Sequence, residues 1–233
     1  MQIEPKILYE DNHIIVVVKP HNISVQEDES KDIDMLTIIK NFIKERDKKP
    51  GNVFLGLVHR LDRPTGGVMV FAKTSKAAAR LTEQFKNKEA EKTYFAVVCG
   101  TLKAKQTKLV NYLLKDEKNN IVKVVPMATT GAKRAELDYT VLEEKDGFSL
   151  LKVKLETGRG HQIRVQLSTI GNPIYGDQKY GKDMPKANLN LFAVELKFKH
   201  PTTGDTMVFR AYPPENLKAW NLFDLEKYLS LKV

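Results

Sequence analysis

The residues best suited to binding an anion lie in a short stretch near residue 160. An apolar segment there leads into a turn with two glycines, and a short helix is predicted to follow. Four side chains of this stretch can donate hydrogen bonds, and they are Arg159, His161, Gln162 and Arg164. Donors at the N-terminus of a helix suit a phosphate or a carboxylate. The alternative is a charged surface turn, which the density of polar side chains makes the less favoured interpretation.

A second polar stretch, residues 59–65, follows an apolar segment and contains one histidine, two arginines and one aspartate. Functional groups concentrate in loops at the ends of strands. The alternative is a solvated turn in which Asp62 pairs with Arg60 or Arg63, and an Arg–Asp pair alone would favour it. Pro64 and the two glycines after it fix the shape of the loop, which favours a functional role.

A third candidate is the strand around Tyr94. Alternation places Lys92 and Tyr94 on one face of this strand, with Thr93 and Phe95 on the other. One aromatic ring therefore lies beside a cation on one face of the strand. By itself, however, the pattern favours a core tyrosine with a lysine that reaches to solvent.

The chain as a whole carries an excess of positive charge. It has 233 residues, with 38 Lys and Arg against 29 Asp and Glu, and a formal net charge of +9. Such a surface attracts nucleic acid, an anionic membrane or phosphorylated ligands. Charge alone does not distinguish these partners from a basic protein that binds none of them.

Composition excludes several classes of protein. Hydrophobic residues at 42% and charged residues at 29% are typical of a globular chain. The longest aliphatic run, residues 14–18, is too short to cross a bilayer, and the N-terminus has no signal-peptide pattern. The single Cys99 excludes an intramolecular disulfide and a cysteine-built metal site. We therefore expect a protein of the reducing cytoplasm, with no metal and no membrane partner.

The elements that would position these side chains are mostly β-hairpins. Alternation and turns pair residues 7–9 with 14–18, 137–141 with 151–155, and 192–198 with 207–211. Further strands are predicted over residues 53–58, 68–72 and 93–98. Helices are predicted over residues 32–46, after a cap at Ser75, over 162–170 with an end at Gly171, and around 220–229. Because hairpins outnumber crossover helices, the pattern predicts an α+β fold with a mainly antiparallel sheet.

Taken together, these segments resemble the RluA-type pseudouridine synthases. The motifs of that family occur in its order along essentially the whole chain, and the ordered set is far more specific than any one motif. The matching stretches are Leu8-Tyr9-Glu10-Asp11, Val18-Lys19-Pro20, His59-Arg60-Leu61-Asp62, Ala72-Lys73-Thr74, Lys92-Thr93-Tyr94, Gly158-Arg159-x-His161-Gln162-Ile163-Arg164-Val165, Gly171-Asn172-Pro173-Ile174, Gly176-Asp177, Tyr180-Gly181 and His200-Pro201-x-Thr203-Gly204.

The resemblance implies an isomerase that converts uridine to pseudouridine in RNA. In this reaction the bond between ribose C1′ and uracil N1 breaks, the base turns, and C1′ joins C5, which loses its proton. Because nothing is oxidised and no group is donated, we expect no cofactor. Asp62 would be the essential carboxylate, and it would add to the base, add to the sugar, or remove a ribose proton to give a glycal.

The resemblance also implies roles for other residues. Arg164 would pair with Asp62 at the centre of the site and keep it ionised as RNA phosphates approach. Tyr94 would stack on the extruded base or help to remove the C5 proton. Arg60 would fill the space that the base leaves. The other substrate-binding candidates carried over from the motifs are His59, Lys92, Arg159, His161, Gln162 and Ile163.

The implied fold is a mixed, mainly antiparallel sheet shared by two halves, with helices packed on it and a central cleft. Because the motif pattern begins near Ile7, we expect one catalytic domain over residues 1–233 without an N-terminal S4 domain. The RNA would be a stem-loop of rRNA or tRNA, and the chain would act as a monomer. Phosphate contacts are expected from Lys19, Lys73 and the lysines between residues 103 and 108.

Three other functions compete with this interpretation. A noncatalytic RNA-binding protein would explain the charge, but it gives no reason to keep Asp62, Tyr94 and Arg164 together. A phosphodiesterase or nuclease could use His59, His161 and Asp62, although the five histidines lack metal-ligand spacing. Membrane binding by the helix over residues 32–46 is less favoured, because the core explains its apolar face.

Overall fold

A computed structural model describes residues 4–230 of the chain. The strands in chain order are β1 (Lys6–Glu10), β2 (Ile14–Lys19), β3 (Gly56–Leu57), β4 (Gly66–Ala72), β5 (Glu91–Cys99), β6 (Gln106–Asp116), β7 (Ile121–Val125), β8 (Lys133–Lys145), β9 (Phe148–Leu155), β10 (Leu191–Lys199) and β11 (Thr206–Arg210). The helices are α1 (Met35–Arg46), α2 (Ser75–Lys86) and α3 (Gln162–Thr169). No helix among the described residues has the length and hydropathy of a membrane-spanning segment.

These elements belong to two compact units. Within the described residues, the first unit comprises residues 4–91 and 195–211, and the second comprises residues 92–194 and 212–230. The strand pairs inside each unit are antiparallel. The predicted α+β class with a mainly antiparallel sheet is therefore confirmed.

In the first unit, strands β1, β2 and β4 support the loop that carries Asp62. Strands β1 and β2 form the predicted hairpin, and β2 pairs with β4, whose seven residues are all buried. The strand predicted over residues 53–58 is shorter than expected. Gly56 pairs with Ala72, the last residue of β4, so residues 53–55 lie beyond the end of their partner strand. Residues 58–65 connect β3 to β4.

The two helices of the first unit begin at side-chain caps. Asp34 caps α1 by accepting the N–H of Thr37 at 3.0 Å, so this helix starts at Met35 rather than at residue 32. Thr74 caps α2, because its backbone is extended and its Oγ1 accepts the N–H of Ala77 at 3.2 Å. The prediction that Ser75 is the cap is therefore wrong by one residue. Ser75 is the first helical residue instead.

In the second unit, the strand order is β5-β9-β8-β6-β7. The predicted β8–β9 hairpin is confirmed, and its turn has positive φ at Asp146 and Gly147, as a tight hairpin turn requires. Helix α3 packs on this sheet through Val165, which joins a buried cluster with Leu113, Val122 and Ala135. Helix α3 ends as predicted, since Gly171 follows with φ of 88°.

Two parts of the second unit differ from the sequence-based expectation. The β6–β7 hairpin was not predicted, because its strands are largely half-exposed and show little apolar alternation. Residues 220–229 form two short 3₁₀ turns, Trp220–Leu222 and Leu225–Lys227, rather than an α-helix. Phe223 has an extended backbone between the turns, which interrupts the helical hydrogen bonding.

The capping of α2 gives a direct test of this part of the fold. We expect Thr74→Ala to lower the free energy of unfolding by about 1 kcal/mol, because the N–H of Ala77 loses its side-chain acceptor. Urea unfolding of the whole chain measures this change. Ser75→Ala is the matched control and should cost nothing, since alanine is a good residue inside a helix. A larger loss for Ser75→Ala than for Thr74→Ala would contradict the assignment.

Candidate active site

The loop that carries Asp62 is held at its backbone by a buried lysine. Lys19, the last residue of β2, has no exposed surface. Its Nζ donates to the carbonyls of Pro20 at 2.9 Å, Ile23 at 2.6 Å and Arg63 at 3.0 Å. An ammonium has three N–H donors, so each has a carbonyl acceptor. Because Arg63 directly follows Asp62, Lys19 fixes the backbone beside the predicted catalytic carboxylate.

The expectation that Lys19 contacts RNA phosphate is therefore wrong. Its ammonium is shielded from solvent and bonded to the protein's own carbonyls. Burial lowers the pKa of Lys19 to about 7, although the negative charge of Asp62 acts to raise it. Lys73 is also hydrogen-bonded within the first unit, where its Nζ donates to Glu10 Oε1 and to the Asp11 carbonyl, both at 2.6 Å.

The Arg63 side chain binds a neighbouring acidic segment. Its Nη1 donates to Ser30 Oγ at 2.6 Å and to Asp28 Oδ2 at 3.3 Å, and its Nη2 donates to Asp32. The sequence left open a solvated turn in which Arg63 pairs with Asp62. In the structure, Arg63 instead pairs with the carboxylates of Asp28 and Asp32. Asp62 is half-buried, and its backbone carbonyl accepts the N–H of Thr65 at 2.9 Å, which forms a turn within the loop.

The two residues that begin this loop differ in environment. His59 is buried, its Nε2 accepts the N–H of Val70 at 3.2 Å, and its ring stacks on Phe85 with centroids 4.5 Å apart. These contacts fix the start of the loop. Arg60 is exposed and makes no hydrogen bond or ion pair with any residue between 4 and 230. The substrate-binding roles of both residues stay predictions.

In the second unit, Gln162 builds the turn that precedes α3. Its Oε1 accepts the Thr157 hydroxyl at 2.8 Å and the Arg159 N–H at 3.0 Å, while its Nε2 donates to the Glu136 carbonyl at 2.9 Å. All three bonds are made to the protein by a side chain that is itself buried. Arg159, in contrast, is exposed, and its Nε donates to the carbonyl of Arg134 at 3.1 Å.

His161 adopts an unusual backbone conformation at the N-cap of α3. Its φ of 54° and ψ of 15° lie in the left-handed region, which costs a non-glycine residue roughly 1 kcal/mol. Such strain is often found at functional positions. The His161 side chain is half-buried. Ile163, the second residue of α3, is buried.

Strand β5 brings Lys92 to the same turn. A Cβ added to Gly158 would lie 3.4 Å from Lys92 Nζ, so the ammonium lies against the glycine. Burial lowers the pKa of Lys92. Tyr94 follows on the same strand and pairs with Val153, and its side chain is almost completely buried.

A buried ion pair in the second unit joins Arg164 to Asp177. Arg164 Nε donates to Asp177 Oδ2 at 2.8 Å, and Nη2 donates to Oδ1 at 2.7 Å. The side chain of Asp177 is fully buried and that of Arg164 is 6% exposed. This geometry matches the two parallel bonds by which a guanidinium binds a carboxylate most strongly.

Asp177 is the site residue that the sequence reasoning missed. The family motif included Gly176-Asp177, but no role was assigned to the aspartate. The sequence around it, Gly176-Asp177-Gln178-Lys179-Tyr180, is polar and gives no sign that this carboxylate is buried, so the membership of Asp177 in the motif was the only available signal. Burial acts to raise the pKa of Asp177, but the bonds and charge of Arg164 and the N–H groups of Lys179 and Tyr180 hold it below the usual range.

The predicted site residues therefore fall into two groups. His59, Arg60 and Asp62 belong to the first unit. The second unit contains the remaining candidates, which lie on β5 and at the start of α3, and these are Lys92, Tyr94, Arg159, His161, Gln162, Ile163 and Arg164. The Asp62–Arg164 pair stays a prediction. Among residues 4–230, no three His, Cys, Asp or Glu side chains are grouped so as to hold a metal ion.

Comparison with known proteins gives the family. The sequence profile of RNA pseudouridylate synthase matches residues 13–169. The chain belongs to the RNA pseudouridylate synthase family. The resemblance noted in the sequence is thereby confirmed, and so, at the level of the family, is the prediction of an isomerase that acts on RNA. The matched range includes Asp62, Tyr94 and Arg164.

Curated members of the family are similar to this synthase over most of its length. Ribosomal large subunit pseudouridine synthase C of Vibrio parahaemolyticus is 35% identical over 219 residues, which cover 90% of this chain and 66% of the relative. An uncharacterized RNA pseudouridine synthase of Aquifex aeolicus is 37% identical over 230 residues, which cover 91% and 71%. The chain thus spans about two thirds of the length of these relatives.

Solved structures support the fold of this family member. Human RNA pseudouridylate synthase domain containing 4 matches with a TM-score of 0.77 at 22% identity, over 91% of this chain and 90% of that one. Human RNA pseudouridylate synthase domain containing 1 matches with a TM-score of 0.73 at 24% identity, over 91% and 84%.

The buried Arg164–Asp177 pair predicts a specific pH dependence of stability. We expect Asp177→Asn to lower the free energy of unfolding at pH 7 by about 3 kcal/mol, because a buried guanidinium loses its carboxylate. The folded-state pKa of Asp177 lies below the ordinary value of 3.8. As the pH falls, the unfolded chain therefore takes up this proton first, and the stabilisation is lost through the folded-state pKa.

Urea titrations from pH 7 downward measure this effect, and the difference between wild type and Asp177→Asn should shrink below about pH 4. The exposed ion pair of Lys115 with Glu117 supplies the control. Glu117→Gln should change stability at pH 7 by less than about 0.5 kcal/mol. A difference between wild type and Asp177→Asn that stays constant with pH would contradict the predicted ionisation of Asp177.

Proposed function

We propose that this chain converts uridine to pseudouridine in ribosomal RNA, with Asp62 as the catalytic carboxylate. The observation that carries the proposal is the family match over residues 13–169, which contains the His59-Arg60-Leu61-Asp62 motif and the Arg164 motif in order. The relatives from Vibrio parahaemolyticus and Haemophilus influenzae are named ribosomal large subunit pseudouridine synthase C. Those names favour rRNA over tRNA as the substrate to test first.

The charge of the chain suits this substrate. A net charge of +9 favours binding to the phosphate backbone, which supplies affinity and register but no sequence specificity. Arg60 and Arg159 are both exposed and can reach phosphates. Action on tRNA, a cytoplasmic location and a monomeric state stay predictions.

Asp62 lies in a setting that suits a carboxylate acting on a base or a sugar. It is half-buried in a loop whose backbone Lys19 holds through the next residue. A carboxylate fixed in this way loses little conformational freedom when it reacts, which is how positioning lowers a barrier. Addition to the base, addition to the sugar and proton removal toward a glycal all remain compatible with this placement.

Arg164 is proposed to assist Asp62 by countering negative charge. Its Nε and Nη2 are held by Asp177, which fixes the guanidinium that is proposed to pair with Asp62. Such a partner favours the ionised form of a carboxylate as RNA phosphates approach. Lys92, His161, Gln162 and Ile163 are proposed to contact or support the bound nucleotide.

A purified-enzyme assay tests the reaction and the role of Asp62 together. RNA transcribed with uridine tritiated at C5 releases tritium when the base rejoins through C5. We expect release from large-subunit rRNA and a loss of about 10³-fold or more in Asp62→Asn, since removing an essential nucleophile or base has effects of this size. The affinity for RNA should change little, because phosphate contacts dominate it.

Asp205→Asn is the matched control, because it changes an exposed aspartate of the same unit. It should leave both rate and affinity at wild-type values. Wild-type turnover in Asp62→Asn would contradict the assigned role. RNA binding without tritium release by the wild type, on rRNA and tRNA alike, would favour a noncatalytic RNA-binding protein.

Tyr94 is proposed to act through both its ring and its hydroxyl. We expect Tyr94→Phe to slow tritium release by about 10²-fold, because it removes a group that helps to take the C5 proton. The affinity for RNA should be unchanged, since phenylalanine keeps the ring. Tyr94→Leu should also weaken binding by the roughly 1–3 kcal/mol that base stacking contributes. Normal turnover in Tyr94→Phe would exclude an essential hydroxyl.

A further inference from the structure

The turn at residues 177–180 is a family motif to which the reaction gives no role. Its shape is fixed by Asp177, whose Oδ1 accepts the N–H of Lys179 at 3.0 Å and of Tyr180 at 3.1 Å. The Asp177 carbonyl also accepts the N–H of Gly181 at 2.9 Å. The carboxylate that binds Arg164 therefore also sets the position of the Tyr180 backbone.

The Tyr180 side chain contacts Arg164 through its ring. The guanidinium carbon of Arg164 lies 5.1 Å from the ring centroid, within the range of a cation–π interaction. Asp177 binds the nitrogens of the guanidinium, and Tyr180 lies against its face. Together they limit both the position and the tilt of the guanidinium.

The Tyr180 hydroxyl contacts a second predicted site residue, His161. The hydroxyl oxygen lies 2.6 Å from His161 Nδ1 and accepts the backbone N–H of Val122 at 2.9 Å. Because the Val122 N–H can only donate, the hydroxyl proton is available for His161 Nδ1. A neutral imidazole that accepts at Nδ1 carries its proton on Nε2.

We propose that Tyr180 is a positioning residue of the synthase, one that orients the imidazole of His161 and keeps its proton on Nε2. His161 Nε2–H then serves as the donor to an RNA phosphate or sugar oxygen. An anchor of this kind limits the freedom of the side chain, because two glycines, Gly158 and Gly160, precede His161, whose own backbone is strained. This role of Tyr180 rests on the proposed function, and it adds an explanation of how His161, the histidine proposed to bind RNA, is held in place.

A merely structural role for Tyr180 is the competing interpretation. Its ring packs against the buried cluster of Leu113, Val122, Ala135 and Val165. Phenylalanine at this position would keep that packing and the contact with Arg164, and it would lose only the hydroxyl. Tyr180→Phe therefore separates the two interpretations.

The first measurement is the tautomer of His161. Long-range proton–nitrogen NMR spectra of protein labelled with ¹⁵N-histidine show which ring nitrogen carries the proton, and His161→Gln assigns the signal. We expect the Nε2–H form in the wild type and a mixture of tautomers in Tyr180→Phe. An Nδ1–H form in the wild type, or an unchanged spectrum in Tyr180→Phe, would overturn the proposal.

The second measurement is steady-state kinetics with the rRNA substrate. We expect Tyr180→Phe to raise KM about 10-fold with kcat within about twofold, because the binding donor is misplaced while Asp62 is untouched. In a His161→Gln background the same change should have no further effect, since the two residues act as a unit. Additive effects in the double variant would overturn the proposal.

Tyr139→Phe is the matched control, because it removes another tyrosine hydroxyl of the second unit, one that donates to the Ala104 carbonyl at 3.2 Å. It should leave KM and the His161 spectrum unchanged. Equal effects of the two tyrosine variants on KM would overturn the proposal. If the wild type makes no pseudouridine, the proposed function fails, whereas the tautomer and the RNA affinity of Tyr180→Phe still decide the role of Tyr180.

Discussion

The buried pair of Arg164 and Asp177 is the interaction on which the second unit depends. Removing a guanidinium and a carboxylate from water is costly, and the cost is offset only when nearly every polar atom finds a partner. Here two parallel hydrogen bonds join the Arg164 guanidinium to the Asp177 carboxylate, and the carboxylate also accepts the backbone N–H groups of Lys179 and Tyr180. The start of α3 and the turn at residues 177–180 are therefore fixed by the same contact. Arg164, a residue predicted to act in catalysis, is thus held by a carboxylate that is itself fixed by two backbone N–H groups.

The first unit uses a buried cation in a similar way. Lys19 has no exposed surface, and its ammonium binds three carbonyls, one of them next to Asp62. Neither Lys19 nor Asp177 needs to touch RNA to matter for the reaction. Each fixes the element that carries a predicted catalytic residue, and precise placement of reacting groups lowers a reaction barrier. Lys19 and Asp177 both belong to stretches that resemble the family motifs, and the structure places both inside the protein.

Much of the fold and of the site could be predicted from the sequence, because the signals were local. The β8–β9 hairpin has alternation and an Asp-Gly turn, and α3 ends at a glycine. The features that were not predicted depend on partners that are distant in the chain. The burial of Lys19 needs the Arg63 carbonyl 44 residues away, and Arg164 meets Asp177, which lies 13 residues further on and beyond the end of α3. Strands β6 and β7 were not predicted, because half-exposed strands show no clear alternation of apolar and polar residues.

Mapping of pseudouridine in total RNA by carbodiimide labelling tests the central claim most directly. Cells that lack the gene for this chain would carry either the wild-type copy or Asp62→Asn, expressed at equal levels. The account predicts a position in large-subunit rRNA that is modified only with the wild-type copy. Modification restored by both copies would contradict the role of Asp62. The absence of any difference between wild-type and deleted cells would contradict the proposed function itself.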